Sequence, residues 1–334
     1  MESAAVTAAD SAPGRRLVVD GRPHEATDDA LRALLADPGA GVLWLDLDAR
    51  SAHVAQILGD VLGVHSLAVE DAEHFGQRAK AEEYGEHLYL VMFGAGAHDD
   101  DADRLAEVHL FVSERLLVTV HREPCPALDE TRRRAVVTGV ATDVARLLHR
   151  VLDDLVDSFF PVLDEIDAGI EAIEDALDTG RADDALHRSI FRLRRRLVAL
   201  RKVVAPARDQ MGRLVSGSLP VPGLSDDSWR YFRDVEDHLI RITEAIDGHR
   251  DLLAALTDVH LTAVSNRLNA VMKQLSVVAG VFLPLTFLTG FFGQNFGWLV
   301  DAVGGASAFW VLGVGLQVIS VVTLLVWFRR RGWI

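Results

Sequence analysis

The stretch LPLTFLTGFFGQNFGWL, residues 283–299, decides how this chain is organised. It begins as an apolar run, changes to a Gly-Gln-Asn triplet at residues 293–295, and ends with aromatic residues. No charged residue occurs between Lys273 and Asp301. The pattern predicts a hydrophobic helix that ends at a polar but uncharged loop.

Two uncharged segments, residues 275–292 and residues 307–328, are each long enough to cross a membrane. A spanning helix needs roughly 20 apolar residues, because each residue adds about 1.5 Å to its length. Tryptophans, which favour the membrane–water interface, lie near the segment ends at Trp298, Trp310 and Trp327. We therefore predict two transmembrane helices in contact with the lipid bilayer, joined by a loop at residues 293–306.

Basic residues predict the orientation of these helices. Arg267 and Lys273 precede the first segment and three arginines follow the second, whereas the loop contains neither lysine nor arginine. Because basic residues concentrate on the cytoplasmic side, both termini should lie in the cytoplasm and the loop outside it. Residues 329–334 would then form the basic cytoplasmic tail of a plasma-membrane protein.

The N-terminal part combines strand and helix patterns. Residues 1–16 are rich in alanine and serine and lack an apolar run, which predicts a disordered tail. Residues 17–125 are predicted to form a cytoplasmic α/β domain. Its strand and helix patterns lie at residues 41–47, 51–63, 87–93 and 108–121.

Residues 126–228 are predicted to form a helical region. An acidic helical pattern at residues 143–178 is followed, after Gly180, by a basic one at residues 183–208. Opposite charges on consecutive helices favour an antiparallel hairpin that neutralises itself, although the basic helix could instead bind phosphate or nucleic acid. The net charge of −15 makes nucleic acid a poor partner for the chain as a whole.

The helical pattern that starts at residue 229 has no stop signal before residue 292. A continuous helix over residues 229–292 would be roughly 95 Å long, and its last part, about residues 275–292, would be the first transmembrane helix. The sequence therefore predicts an α+β cytoplasmic domain, an all-α stalk and two C-terminal transmembrane helices.

Two helices cannot enclose an aqueous path, so they either anchor the body or assemble with further copies around an axis. The first span carries hydroxyls at Thr286 and Thr289, and Pro284 frees a backbone carbonyl. Neither span contains Asp, Glu, His or Cys, so a cation would meet only uncharged polar groups. Such groups suit an ion that keeps its water, as Mg²⁺ does. The chain has no nucleotide-binding or catalytic-triad motif, which predicts passive transport and not an enzyme.

Several motifs resemble those of the CorA magnesium transporters, a two-span family with a Gly-Met-Asn signature. They are PLTFLTGFFGQNF at the first span, YFRDVEDH at residues 231–238, LTDVHLTAVSNRLNAVMKQL at residues 256–275 and VEDAEHFGQRAKAEEY at residues 69–84. The resemblance covers residues 40–334. It implies a funnel-shaped homopentameric channel in which the long helix lines the pore and a helical hairpin lies beside it.

The resemblance also implies which residues contact the ion. The outer mouth would be formed by Gly293, Gln294 and Asn295, with a ring of Asn295 oxygens holding a hydrated cation. The residues expected to line or gate the pore are Thr286, Leu283, Leu275, Met272 and Asn269. Met272 and Leu275 would form a hydrophobic gate that closes by excluding water.

The same resemblance places regulatory Mg²⁺ ions between neighbouring cytoplasmic domains. The matching carboxylates are Asp234, Glu70 and Asp71, with Asp153 as a candidate for a second such site. A cation between these carboxylates would lock a closed state, and its loss would let their repulsion open the pore. The alternative is that the carboxylates are solvated or paired with basic residues.

Two departures from the family pattern leave the ion open. Gln294 stands where the signature has methionine, which moves the chain toward the ZntB zinc transporters, and Asp301 is the one acidic residue of the loop. Mg²⁺ is the first prediction, with Co²⁺ or Ni²⁺ as further ions, and a Zn²⁺ transporter coupled to protons is the alternative. A non-conducting, membrane-anchored scaffold is a third hypothesis.

Two further features of the sequence bear on metal binding. The 13 histidines show no close ligand spacing and Cys125 is the single cysteine, so we predict no structural zinc site. The acidic turn HDDDADR at residues 98–104 could bind a metal, but it is more typical of a solvated loop.

Overall fold

The computed structural model of the protein describes residues 14–50, 53–96, 105–138, 143–180, 184–224 and 229–333. The chain divides into two compact units. The first comprises residues 1–176 and 183–256, and the second comprises residues 177–182 and 257–334. Residues 1–13 of the predicted tail and the acidic turn at residues 98–104 lie outside the described residues.

A seven-stranded mixed sheet forms the centre of the first unit. Its strands are β1 (Arg15–Val19), β2 (Arg22–His24), β3 (Leu43–Asp48), β4 (Lys80–Tyr84), β5 (His87–Ala95), β6 (Leu105–Val112) and β7 (Leu116–His121). They follow the order β2-β1-β3-β7-β6-β5-β4. Strands β3 and β7 pair in parallel, and the other neighbours pair antiparallel. The parallel pair is central, so apolar residues occupy both of its faces.

The observed strands agree with the strand patterns in the sequence. The predicted strands at residues 41–47 and 87–93 correspond to β3 and β5, and the two strands predicted within residues 108–121 correspond to β6 and β7. Strand β1 begins at Arg15, inside the segment predicted to be a tail. Three short helices complete the domain: α1 (Asp28–Ala36), α2 (Val54–Gln56) with a π-helical continuation at Ile57–Val61, and α3 (Ser66–Glu73).

A buried polar cluster joins β3 and β7 to the next helix, α4 (Pro126–Thr138). Asp46, on β3, accepts a hydrogen bond from the Thr119 hydroxyl at 2.8 Å and lies 3.4 Å from His121 Nε2. Its other oxygen pairs with Arg132 of α4. Burial alone would raise the pKa of Asp46, but the hydrogen bonds and positive charges around it outweigh burial and lower that pKa.

Three further helices follow α4: α5 (Val144–Asp157), α6 (Phe159–Asp178) and α7 (Asp184–Val215). The single helical pattern predicted for residues 143–178 is divided at Ser158, whose hydroxyl accepts a hydrogen bond from the Ala95 backbone N–H at 2.7 Å. Helix α5 packs closely on β5, because a side chain at Gly94 would approach Leu155 to 2.8 Å. The break at Ser158 therefore marks the point where the helical region is anchored to the sheet.

Helices α6 and α7 form the hairpin that the charge pattern predicts. Glu165 on α6 and Arg196 on α7 form an ion pair at 2.9 Å. Arg201, further along α7, instead pairs at 2.7 Å with Asp247 of the following long helix. The acidic helix thus neutralises part of the basic helix, and the long helix neutralises another part.

The long helix, α8 (Trp229–Phe292), runs for 64 residues without interruption, as the sequence predicts. It is followed by α9 (Gly297–Ala302), α10 (Ala306–Ala308), a π-helical segment at Phe309–Gly315, and α11 (Leu316–Arg330). The end of α8 and the segment Ala306–Arg330 are both long and apolar enough to cross a membrane, and the apolar stretches of both are unburied in the single chain.

The start of the apolar part of α8 and the end of α11 are joined by small and aromatic residues. A side chain at Gly280 would come within 2.9 Å of the Phe328 ring, so glycine allows close approach there. Trp333 stacks on Phe328 with ring centres 5.6 Å apart. The Lys273 ammonium group donates a hydrogen bond to the carbonyl of Gly332.

Candidate cation pathway and carboxylate sites

The Gly-Gln-Asn triplet forms the turn that ends α8. The Gly293 N–H closes the last helical turn on the Thr289 carbonyl at 2.9 Å. A Cβ atom at Gly293 would lie 2.9 Å from that same carbonyl oxygen, so the turn requires glycine. Gln294 and Asn295 are exposed, and in the described part of the chain neither amide side chain makes a hydrogen bond. Their polar atoms are therefore free to contact water or an ion.

The five predicted pore residues lie on one face of α8. At about 100° per residue, Asn269, Met272, Leu275, Leu283 and Thr286 fall within an arc of about 120°. All five are exposed in the single chain, and Leu283 retains 69% of its accessible surface. The structure thus places a continuous, mostly apolar stripe along the helix but shows no second copy to cover it.

The hydroxyl groups of this helix are bound to its own backbone. Thr286 Oγ1 donates to the Phe282 carbonyl at 2.8 Å, and Thr289 Oγ1 donates to the Leu285 carbonyl at 2.9 Å. Each hydroxyl proton is used within the helix, so each oxygen presents only lone pairs outward. Pro284 cannot donate a backbone hydrogen bond, which leaves a carbonyl one turn earlier without its usual partner.

Of the four predicted regulatory carboxylates, Asp153 and Asp234 come together within one chain, and Glu70 and Asp71 lie on α3. Asp71, on α3, forms an ion pair with Lys80 at 2.5 Å, so part of its charge is already neutralised. Glu70 is exposed on the same helix, and Asp234 is exposed on α8. Among the described residues, the group of candidate metal ligands that contains Asp234 also contains His149 and Asp153, and neither Glu70 nor Asp71 belongs to it. Within one chain, the described residues form no three-ligand group that combines Asp234 with Glu70 or Asp71.

A network of hydrogen bonds fixes the loop that follows α3. The Glu107 carboxylate accepts from the backbone N–H groups of Gly76, at 2.6 Å, and Gln77, at 3.0 Å. It also lies 2.9 Å from His109 Nε2, and His109 Nδ1 is 2.7 Å from the Tyr89 hydroxyl. Burial would raise the pKa of Glu107, but these hydrogen bonds outweigh burial and lower it. The loop after Glu70 and Asp71 is thus held against the sheet.

A second cluster of titratable groups lies between α5 and α8 inside the first unit. Candidate ligand atoms of His149, Asp153 and Asp234 lie within 4.8 Å of one another. Those of Asp153, Asp157 and His238 do so as well. His238 Nδ1 is 2.7 Å from Asp157 but 3.9 Å from Asp153, which is beyond hydrogen-bond distance.

Two atoms of this cluster are buried without a hydrogen-bond partner among the described residues, His149 Nε2 and Asp153 Oδ1. Burial, followed by the charge of Asp157, raises the pKa of Asp153 to about 6. Burial also lowers the pKa of His149, so its imidazole is neutral at pH 7. Buried polar atoms normally have partners, so these two atoms call for a physical explanation.

The sequence motifs point to Asp153 and Asp234 but not to His149 and His238 beside them. His149, Asp153 and Asp157 are spaced by four residues on α5, and Asp234 and His238 are spaced by four on α8. Side chains four apart share one face of a helix. This spacing was the available signal, but it becomes a cluster only when α5 and α8 lie side by side.

Comparison with known proteins assigns the chain to a family. A family model described as CorA-like Mg²⁺ transporter protein matches residues 39–330. This chain belongs to the CorA-like family. The resemblance seen in the sequence motifs is thereby confirmed, and the protein is a member of a family of membrane-integral divalent cation transporters.

Relatives within the CorA-like family carry names that refer to different ions. The cobalt/magnesium transport protein CorA of Thermotoga maritima is 28% identical over 303 residues, which cover 87% of this chain and 83% of that protein. The zinc transport protein ZntB of Klebsiella pneumoniae is 30% identical over 243 residues, which cover 72% of this chain and 71% of that protein. Identity alone therefore does not choose the ion.

A solved structure confirms the CorA-like fold. The complete CorA magnesium transporter from Methanocaldococcus jannaschii matches with a TM-score of 0.81 at 19% identity, covering 96% of this chain and 98% of that one. The predicted fold class, an α+β domain followed by a long helix and two apolar C-terminal helices, is correct.

Proposed function

We propose that the protein is a passive, homopentameric channel that admits Mg²⁺ into the cell, with Co²⁺ or Ni²⁺ as secondary ions. The observation that carries this proposal is the pair of unpartnered amides, Gln294 and Asn295, at the end of a helix with one exposed, mostly apolar face. Two spans cannot surround water, so this face needs further copies of the chain to become a pore lining.

In this assembly, Asn295 forms the outer ring. Its amide oxygens accept hydrogen bonds from the water shell of the ion, and Gln294 adds a second amide beside it. Mg²⁺ gives up its water reluctantly, so a ring that binds the hydrated ion suits it better than a cage of carboxylates. A membrane potential of 100 mV contributes about 4.6 kcal/mol to the entry of a divalent ion, because each charge contributes about 2.3 kcal/mol.

The gate lies at the other end of the stripe. Met272 and Leu275 are exposed on the face that also carries Thr286. Copies of these apolar side chains around an axis would narrow the pore and exclude water, which blocks ions without any charged barrier. Asn269 lies one turn further from the outer mouth and would receive the ion after it passes the gate.

Control of this gate is assigned to carboxylates at the subunit boundary. Asp234 of one subunit and Glu70 with Asp71 of its neighbour would share a Mg²⁺ ion that holds the closed state. Lys80 competes for Asp71, since the two side chains form an ion pair in the single chain. This competition weakens cation binding, so the site would empty as cytoplasmic Mg²⁺ falls and the pore would open.

A second candidate function is Zn²⁺ transport, with possible coupling to protons. It is favoured by Gln294 in place of the signature methionine and by the zinc transport relative at 30% identity. A third is a membrane-anchored scaffold that conducts nothing. The three differ in measurable ion flux, so one experiment separates them.

The test is ion flux into liposomes that contain the full chain, with an inside-negative potential. Mg²⁺, Co²⁺, Ni²⁺ and Zn²⁺ are supplied in turn, with and without a pH gradient. We expect Mg²⁺ uptake without a pH gradient, loss of that uptake in Asn295→Ala, and a changed ion preference in Gln294→Met. Gln274→Ala removes an exposed amide on the opposite face of α8 and should behave as wild type.

Other outcomes would replace the proposal. Zn²⁺ uptake that depends on the pH gradient, without Mg²⁺ uptake, would establish the zinc transporter. Absence of flux for all four ions, in protein shown to be correctly folded, would favour the scaffold.

A further inference from the structure

We propose that the end of α11 and the turn that follows it form a binding site for the headgroup of an anionic phospholipid. The site comprises Arg330 and Arg331 with the aromatic side chains of Trp327 and Trp333, and we call it the headgroup site. Its ligand is the phosphate of a lipid at the bilayer surface where the chain ends. The site does not depend on which ion the protein conducts.

The chain after α11 forms a fixed turn. The Gly332 N–H donates to the Arg329 carbonyl at 3.1 Å, and the Trp333 N–H donates to the Phe328 carbonyl at 2.9 Å. Gly332 has a φ of 67°, in the left-handed region that favours glycine. This pattern is a Schellman motif, which frequently includes an apolar contact back to the last helical turn. Here Trp333 supplies that contact by stacking on Phe328, with ring centres 5.6 Å apart. The turn therefore holds residues 329–331 in one place.

The arginine side chains at residues 329–331 are not used to complete the helix end. Basic side chains at a helix C-terminus often bind its last carbonyl groups. Here the carbonyls of Trp327, Phe328 and Arg329 already accept from backbone N–H groups of the turn. Within the described part of the chain, none of the three arginine side chains forms a hydrogen bond or an ion pair. Their guanidinium groups are therefore available to an external ligand.

Neither apolar helix supplies a carboxylate to these arginines. The sequence contains no Asp or Glu between Asp258 and Asp301, and none after Asp301. Asp301 lies on α9, which the whole apolar segment separates from the arginines. Lys273 of α8, whose ammonium group donates to the Gly332 carbonyl, adds a further positive charge to the same end of the helices. A group of cations without acidic partners attracts anions.

The position of the arginines along α11 matches the depth of lipid phosphates. Tryptophan favours the membrane–water interface. Trp310 and Trp327 lie about 25 Å apart along the helix, at about 1.5 Å per residue, which is close to the hydrocarbon thickness of roughly 30 Å. Arg330 and Arg331 follow Trp327 by three and four residues. They would thus lie about 5–6 Å beyond its ring, in the headgroup layer.

The directions of the side chains suit a lipid phosphate. Arg331 Cζ lies 5.2 Å from the centre of the Trp327 ring, a cation–π contact that holds the guanidinium at the interface. Arg330 lies about 160° round the helix from Phe328, which packs against α8, so Arg330 faces away from α8. Guanidinium groups bind phosphate oxygens through two parallel N–H groups. The acyl chains of the lipid would continue along the unburied apolar surface of α11.

The test uses the full chain in a neutral detergent, where orientation in a bilayer plays no part. Dioleoylphosphatidylglycerol is anionic, and dioleoylphosphatidylcholine has the same acyl chains without net charge. Each is added in a separate titration, and native mass spectrometry counts the bound lipids and gives an apparent Kd. We expect wild type to prefer phosphatidylglycerol by about 30-fold, since each of two arginines contributes about fivefold at an anionic surface. High salt should reduce this preference.

The decisive variant is Arg330→Gln with Arg331→Gln, which should bind the two lipids alike. Its matched control is Arg194→Gln with Arg195→Gln, which removes the same charge from an exposed face of α7 and should keep the preference of wild type. Arg330→Lys with Arg331→Lys keeps the charge but loses the paired N–H groups, so its preference should be intermediate. Circular dichroism shows whether each variant is folded. If the glutamine variant is not, the lysine variant decides.

Three results would overturn the headgroup site. The first is equal binding of the two lipids by wild type, and the second is an unchanged preference in the folded arginine variants. The third is an equal loss in the α7 control, which would show that net charge selects the lipid. Inorganic phosphate shares the phosphate chemistry but lacks acyl chains, so at the same concentration it should not displace the lipid. Displacement would assign the arginines to a soluble anion and would overturn the lipid assignment.

Discussion

The two halves of helix α8 share one secondary structure but have opposite surfaces. In the part that belongs to the first unit, the apolar residues are buried: Phe232, Val235, Leu239, Ile242 and Ile246. In the part that belongs to the second unit, large apolar residues are exposed: Met272, Leu275, Phe282, Leu283 and Phe287. The helix itself is continuous across this change.

The difference shows what covers and stabilises the apolar surface of each half of α8. The first half has an apolar stripe at helical spacing, and its own unit covers that stripe. The last part of the second half, residues 275–292, is apolar over most of its circumference, which a single chain in water would not tolerate. Lipid and further copies of the chain are what can cover it, so this half depends on molecules outside the chain.

The largest expected effect comes from replacing one phenylalanine in each half of α8. Phe232→Ala should lower the free energy of unfolding by about 3–5 kcal/mol, because Phe232 is 0% exposed and its loss leaves a cavity. Phe287→Ala, at a position that is 70% exposed in the single chain, should leave the first unit unaffected. Urea unfolding of the full chain in detergent, followed by circular dichroism, measures both. Equal losses in the two variants would contradict the comparison.

A smaller effect is expected from a pair of glycines on the same helix. Gly280→Ala should destabilise the contact between the two apolar helices by about 1–3 kcal/mol, because the added Cβ would lie 2.9 Å from the Phe328 ring. Gly248→Ala meets no atom within 4 Å and should stabilise the helix by about 0.4–1 kcal/mol. Thermal unfolding midpoints should move in opposite directions, and an unchanged or raised midpoint in Gly280→Ala would show that Gly280 is not a packing position.

The smallest expected effect concerns how the Asp46–His121 pair of the first unit makes stability depend on pH. Burial lowers the pKa of His121, but its hydrogen bond and ion pair with Asp46 outweigh burial and raise that pKa above its usual value of about 6.5. The protonated ring is thus favoured in the fold, so its stabilisation is complete below about pH 6.5 and is lost as pH rises through the raised pKa.

The unfolding midpoint of wild type should therefore fall as pH rises above about 6.5, and His121→Gln should flatten this dependence. The exposed His53→Gln serves as the control and should keep the slope of wild type. A slope that is identical in all three proteins would show that the Asp46–His121 pair does not contribute to it.

Much of this fold follows from sequence because its signals are long and local. The full extent of α8 follows from an unbroken helical period over residues 229–292, and the spans follow from the absence of charge. The break at Ser158 could not be found this way, because a contact with Ala95 of a distant strand creates it. Likewise, the Asp71–Lys80 pair depends on how α3 lies against β4.

The candidate site residues, too, could be predicted from the sequence only in part. The Gly293 turn and the single face that carries Asn269 to Thr286 follow from spacing along one helix. The cluster of His149, Asp153 and Asp234 does not, because it combines residues from two helices about 80 positions apart in sequence, a separation at which spacing carries no information. Structure was needed to show that two of the 13 histidines lie beside these carboxylates.

The hydroxyl groups of Thr286 and Thr289 give the apolar helix a preference for the sign of a charge. Since both protons are bound to carbonyls of the preceding turn, the oxygens can attract a cation but cannot donate to an anion. Chloride or phosphate next to this face would meet lone pairs alone and be repelled. In the channel proposed above, this helix would therefore favour cations over anions without an ionised side chain.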